Sequence, residues 1–401
     1  EQLRNTYTSL KEHLAKQPDD MKSWLKLSEV FITEARITGN YTTNHDAALS
    51  ILDRVLTNTK GIDAASREMH GEALTLKAMI KLSQHEFQDA LTLGQEAVAI
   101  DPHRAFNYGI LVDANVELGN YTKAVEMSDK MVGIRPDLRS YSRVSYLREI
   151  FGDVDGAMQA MDMAVKAGYP GSEETSWCRV QLGGLSERNG DLIKAQRQYE
   201  QALAERPNYP FALAAIGRVE GKLKHYPEAE KNLSAAIALM PDASLYEEQA
   251  RVFAAQKKTE PYDEAVRNAG LVLAGLAKGG EGHSHQVGLE MARYQLEFAK
   301  DLDNALTNAE HEATHRAGNN DVNLALAAIR YAKGETAPAA INIALAKATG
   351  SQDAYMQCLA GLIMIKNGET LKGKALVVAS FKRDPYQNHP FVAEARQVIA
   401  G

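Results

Sequence analysis

The apolar positions of this chain recur with helical spacing, and the helices they define come in pairs. Between Leu138 and Pro170, the residues Tyr141, Val144, Ser145 and Arg148 share one face at i, i+3, i+4 and i+7. Gly152 supplies the residue that most easily takes a positive φ at a helix end. Asp153 follows as a cap for a second helix. That helix carries a narrow stripe of small and flexible side chains, Ala157, Met161 and Ala164, and Pro170 closes the unit because its ring cannot continue a helix.

The same layout returns along the chain. Alanines in matching context stand at 90, 124, 157, 195, 229, 265, 305 and 339, spaced by 34, 33, 38, 34, 36, 40 and 34 residues. Prolines run alongside at 102, 136, 170, 207 and 241, and glycines at 119, 152, 190, 334 and 368. Three ladders with one shared period predict a repeat of helix pairs, because a pair with one apolar face cannot bury it alone and must stack on neighbours. Alanine at the closest contact lets two helices approach near the low end of the usual axis separation of about 8–10 Å.

These motifs carry a resemblance. The segments Gly119-Asn120-Tyr121-Thr122-Lys123-Ala124 and Gly190-Asp191-Leu192-Ile193-Lys194-Ala195 resemble the turn between the helices of tetratricopeptide repeats (TPR). Trp24 with Leu27, and Leu182 with Gly183, look like that family's first-helix signature. The resemblance covers nearly the whole chain and implies an all-α fold, an α-α superhelix of about ten helix pairs. It also implies a scaffold that binds a protein or peptide on a concave face. The pattern is similar to bacterial multi-repeat TPR proteins, many of them exported. Glu1 rather than methionine at the start suggests that something was removed there, by processing or otherwise, and the compartment stays open, with a lean toward exported or periplasmic over cytoplasmic.

Departures from the repeat suggest the organisation. A stretched turn is expected between Thr33 and Asp46, and extra residues between Lys257 and Pro261. The largest break, at 278–285, is rich in glycine and histidine and reads as a flexible loop between an N-terminal block, 1–277, and a C-terminal block, 286–401. Leu3, Tyr7, Leu10 and Leu14 form one apolar stripe, and Phe391 to Ile399 a closing helix, as the ends of an open stack require.

On each first helix the face turned from the packing stripe follows i, i+4, i+7, i+11. Four successive units give Phe106, Ile110, Asp113, Glu117; Arg139, Arg143, Tyr146, Ile150; Trp177, Gln181, Gly184, Arg188; and Phe211, Ala215, Arg218, Lys222. Aromatics and arginines dominate interface energetics, and arginine forks suit carboxylates. This wall is therefore expected to bind a peptide of acidic character or with a free carboxylate, through Phe106, Asp113, Arg139, Arg143, Tyr146, Trp177, Gln181, Arg188, Phe211 and Arg218. The alternative is that the aromatics pack between neighbours and the arginines pair with Glu149, Glu187 or Glu220. The lysine and asparagine pattern of chaperone-tail-binding relatives is missing, with Gly109, Asp113 and Val180 in its place.

Composition narrows the function classes. A formal charge of −7, with basic residues scattered among acids, argues against nucleic acid as the main partner. No run reaches the roughly 18 apolar residues of a membrane span. Cys178 and Cys358 read as two buried, reduced thiols. No phosphate loop, nucleophile elbow or dinucleotide fingerprint occurs, and no cofactor is implied.

One enzyme-like motif stands out. His311-Glu312-Ala313-Thr314-His315 matches the pattern in which two histidines on one helical face hold zinc and the glutamate serves as base, with Asp321 as a third ligand. The ladders instead put it late in the second helix of an ordinary repeat, with Asp321 as a helix cap. His283 and His285 with Glu281 form a looser metal candidate and read as solvated. A non-enzymatic adaptor is thus the leading expectation, a zinc-dependent hydrolase at 311–315 or a structural subunit of a larger assembly the alternatives. The solenoid ends and exposed aromatics leave homodimer formation open.

Overall fold

The computed structural model describes residues 2–61, 63–278 and 287–400, and among these every regular element is a helix. Ten helix pairs follow one another. Their first helices are Met21–Thr38, Ala64–Ser83, Ala105–Glu117, Leu138–Ile150, Glu173–Arg188, Pro210–Lys222, Ala243–Ala255, Gly288–Tyr294, Asn320–Ala332 and Ala354–Lys366. The second helices are Tyr41–Asn58, Phe87–Ile100, Tyr121–Ile134, Val154–Ala167, Leu192–Glu205, Tyr226–Leu239, Thr259–Lys278, Leu302–Arg316, Thr336–Ala346 and Thr370–Arg383. Helix Gln2–Lys16 precedes them and Val392–Ala400 follows. In the eighth pair the first helix runs on through a π turn, Gln295–Ala299.

The alanine ladder runs through the second helices of the second to ninth pairs. Ala90, Ala124, Ala157, Ala195, Ala229, Ala305 and Ala339 are fully buried and Ala265 nearly so. The turn between the two helices is built the same way throughout, with one residue in the left-handed region. Glycine holds that place at 39, 119, 152, 190, 334 and 368, His85 holds it in the second pair, and lysine in three successive pairs, at 224, 257 and 300. Asp153, Asp191 and Asp301 cap the second helices that follow, their carboxylates accepting the backbone N–H three residues on.

The chain divides into two compact units. The first comprises the residues up to Glu117 and Tyr121–Pro136, with the end of the seventh pair's second helix from Gly275. The second comprises Leu118–Asn120, Asp137–Ala274 and the residues from Val287 on. This division falls at Pro136 and differs from blocks 1–277 and 286–401. The flexible loop expected at 278–285 lies, from residue 279, outside the described residues. The stretched turn expected after Thr33 is helical up to Thr38 and again from Tyr41, with only Gly39 and Asn40 between, because Gly39 at φ 72° reverses the chain in two residues. The N-terminal stripe packs as expected, Leu14 buried with Leu27 and Ile51 beneath Tyr7 and Leu10.

Within the second unit the superhelix winds tightly enough to touch itself. The turn at Gly119 meets Gly318 and Asn319, the turn at Gly152 meets Gly350, and the turn at Gly190 meets Arg383 and Pro385. Turns of the third, fourth and fifth pairs thus abut the loops that follow the eighth, ninth and tenth. A Cβ at Gly152 would overlap the Gly350 carbonyl, so glycine is required there by both close approach and positive φ. Arg383 ties the seam, its guanidinium donating to Asn189 at 2.8 Å and Gln352 at 3.3 Å.

Candidate functional site

The four expected wall quartets sit on first helices, and most of their charges have partners. Arg139 donates to Glu174 at 2.6 and 3.1 Å. Arg143 donates to the Arg139 carbonyl at 3.0 Å. Arg188 makes a two-pronged pair with Glu149 at 2.8 and 3.0 Å. Arg218 does the same with Glu187 at 2.7 and 2.8 Å. Glu187 also accepts from Tyr199 at 2.7 Å and pairs with Lys222 at 3.0 Å. Burial pushes its carboxyl up, but the Arg218 charge and fork, with Lys222 and Tyr199, hold it far below the usual range.

The aromatic members of the wall are partly covered. Trp177 packs against the buried cluster around Ala157, Met161 and Leu182, and Phe211 stands edge-on to Tyr209 at 5.3 Å. Phe106, Asp113 and Gln181 are half-buried, whereas Tyr146 keeps 45% of its surface exposed. Ile110 and Ala215 of the same quartets are buried in the stack.

The wall of the fifth and sixth first helices opens into a cavity of about 1050 Å³ inside the second unit. Gly184 and Arg188, then Arg218 and Lys222, contribute from these two helices. From the seventh and eighth pairs come Glu248, Arg251, Glu297 and Phe298. Arg251 forks onto Glu297 at 2.7 and 2.8 Å, donates to Glu248 at 2.7 Å and lies over the Phe298 ring. Beside this cluster burial raises the Glu247 carboxyl to about 7, against the pull of Arg251 and with the push of Glu297 and Glu248. The opposite side is a non-helical strap, Asp384 to Pro390, together with Asp353 and Tyr355. His389 in the strap stacks on Tyr355 at 4.6 Å and accepts the Phe391 N–H at Nδ1, and burial lowers it to about 4.

Of the expected wall residues, Arg188 and Arg218 line this cavity, whereas Phe106, Asp113, Arg139, Arg143, Tyr146, Trp177, Gln181 and Phe211 do not. The strap, Tyr355 and the turn lysines went unrecognised in the sequence, because they come from pairs up to five repeats away and reach one place only through the superhelical closure.

The histidine motif lies on the second helix of the eighth pair. His311 and His315 are exposed, ring centroids 5.1 Å apart, while Glu312 turns inward and is buried against Arg316 at 2.8 Å. A glutamate so held cannot reach a metal on the histidine face, since it is spent on a buried cation on the other side. Asp321 lies in the first turn of the next helix near Arg293, and the cap expected of it is Asn319, whose side chain accepts from the N–H groups of Asp321 and Val322. Among the described residues no group of three metal-ligating side chains forms. His283, His285 and Glu281 lie outside them. Cys178 and Cys358 are buried free thiols, and burial pushes Cys358 up to about 11.

These stacked helix pairs make the chain an all-α solenoid, the fold that the resemblance to tetratricopeptide repeats implies. No family model and no curated protein matches it. Among solved structures it resembles the Cut9–Hcn1 hetero-tetramer of the APC/C, at 16% identity over 86% of this chain and 64% of that one, with a TM-score of 0.47. PilW, a widely conserved type IV pilus biogenesis factor, is similar at 16% identity over 49% and 90%, with a TM-score of 0.42. A thermophilic TPR protein from Thermus thermophilus is 22% identical over 48% and 94%, with a TM-score of 0.40. Among the described residues no helix is long and apolar enough to cross a membrane.

Proposed function

We propose that this chain is a non-enzymatic scaffold that holds a segment of a protein partner against its first-helix wall. The observation that supports this reading most is the convergence of matching positions from successive repeats, Gly184 and Arg188 with Arg218 and Lys222, on one large cavity. A repeated face that leads into a partly open cavity with both charged and apolar lining suits recognition of an extended chain, and it needs no reactive group. The inward turn of Glu312 speaks against peptide hydrolysis at the histidine pair.

The wall reading is tested by affinity capture from a lysate of the source cell, with captured proteins identified by mass spectrometry. The double variant Arg139→Glu with Arg143→Glu, checked for intact helicity, is expected to lose a partner that the native chain retains. Unchanged capture by the variant overturns the wall as the binding surface. Zinc-dependent peptide cleavage abolished by Glu312→Gln would overturn the scaffold reading itself.

A further inference from the structure

The scaffold reading leaves the histidine pair on the second helix of the eighth pair without a use. His311 and His315 stand one turn apart, both exposed, on the helix Leu302–Arg316. Residues at i and i+4 share a face, and the two rings meet there with centroids 5.1 Å apart. Neither ring has a hydrogen-bond or ion-pair partner among the described residues. His13, His70 and His225, by contrast, spend a ring nitrogen on Asp20, Thr59 and Glu220 respectively.

The separation of the rings suits one shared ion. A divalent transition metal sits about 2.0–2.1 Å from an imidazole nitrogen, and roughly 1.1 Å more separates that nitrogen from its ring centre. Two rings on one ion, at a nitrogen–metal–nitrogen angle of roughly 90–110°, therefore have centres roughly 4.5–5.2 Å apart. The observed 5.1 Å falls within that span, so an ion can be taken by turning the rings and without moving the backbone.

The end of the helix adds to this. His315 lies in the last turn, where backbone carbonyls leave partial negative charge that favours a cation. Arg316, the next residue, turns to the buried side and pairs with Glu312 at 2.8 Å.

We propose that His311 and His315 together hold one divalent transition-metal ion of the class that prefers imidazole, copper(II) above nickel(II) and zinc(II), with its remaining positions open to water. Once one imidazole has bound, the helix presents the second at a high effective concentration, so the pair acts as a chelate. Two protein ligands are one fewer than a catalytic zinc site keeps, and Glu312 is withdrawn, so the ion is held without peptide hydrolysis. Hard cations such as magnesium, which take oxygen ligands, are refused. Neither histidine lines the cavity, and the site does not depend on the scaffold reading.

The test is isothermal titration calorimetry of the full chain with copper(II), nickel(II), zinc(II) and magnesium chlorides in a buffer that does not coordinate metals. Copper is expected to bind the site most tightly, nickel and zinc more weakly, and magnesium not at all. His311→Ala and His315→Ala, at exposed helical positions that alanine suits, should each weaken copper binding at least about tenfold. His315→Ala with Ala317→His keeps the number of histidines but moves one off the shared face, and should show the same loss. His283→Ala with His285→Ala should leave the site in place. Saturating zinc should also raise the urea midpoint of the native chain and not that of His315→Ala, because only the folded helix presents both rings to one ion. Unchanged copper affinity in the single variants, full affinity in the displaced-histidine variant, or loss of the site on changing 283 and 285 overturns the proposal.

Discussion

Lysine at a left-handed turn is the feature of single residues that sets this chain apart from a regular repeat. An L-residue there crowds its Cβ against the backbone at a cost of roughly 1–2 kcal/mol, which glycine avoids. Lys257→Gly, at φ 60° and exposed, is expected to stabilise the second unit by about 1 kcal/mol, read as a higher urea midpoint at unchanged slope. The reverse holds at Gly152, at φ 79° beneath the Gly350 carbonyl. Gly152→Ala should cost about 1–3 kcal/mol by the same measurement. The glycine turns were legible in the sequence because glycine announces a positive φ. Their lysine and histidine counterparts were not, since nothing in Lys224, Lys257, Lys300 or His85 as residue types distinguishes a turn from an ordinary exposed position. Asp321 was mistaken for a cap for a related reason: Asn319, two residues earlier, has the same capping chemistry.

Helix pairs were the most readable level. Each alanine of the ladder is buried in its repeat, as its place on the packing stripe predicts. Ala229, packed with Leu233 and Val252, has no room to grow, and Ala229→Leu should cost about 1–3 kcal/mol in thermal or chemical unfolding. What joins neighbouring first helices was readable in part: Glu149 and Glu187 stood in the sequence as alternative partners for the wall arginines, and they are the partners of Arg188 and Arg218. Arg188 reaches Glu149 across 39 positions, Arg218 reaches Glu187 across 31, and Arg251 reaches Glu297 across 46. Glu297 was not among the named partners, because Arg251 reaches it from a helix whose pairing no repeat position marks. This level also carries a pH signature. The Glu247 carboxyl, raised from 4.5 to about 7, binds a proton in the folded chain that the unfolded chain has released. Its contribution to stability is therefore full below pH 4.5 and is lost as pH rises through 7. Glu247→Gln should remove that loss, stabilising the protein at about pH 8 by about 1–3 kcal/mol relative to the native chain and scarcely at about pH 4.5. Denaturant midpoints across this range check it.

Over the whole molecule, repeat number and fold class followed from the ladders, whereas the division at Pro136 and the self-contact of the second unit did not. Nearest-neighbour stacking is all a repeat pattern encodes; how far the stack turns per repeat depends on small rotations summed over many crossings. Arg383→Ala should loosen the seam specifically, raising hydrogen exchange at the loop around Gly350 to Asp353 and at the turn around Asn189, while the first unit keeps its protection. The seam also bears on how the chain acquires its structure. An open solenoid can grow from any repeat by adding the next, with every contact local. Here the Arg383–Asn189 bond spans 194 positions, so the second unit is finished only when two distant ends of a nearly complete coil find each other. Joining them carries a chain-closure entropy that grows with the logarithm of the span, and such long-range contacts retard folding. Refolding should accordingly show a late phase that reports ring closure, following rapid helix formation.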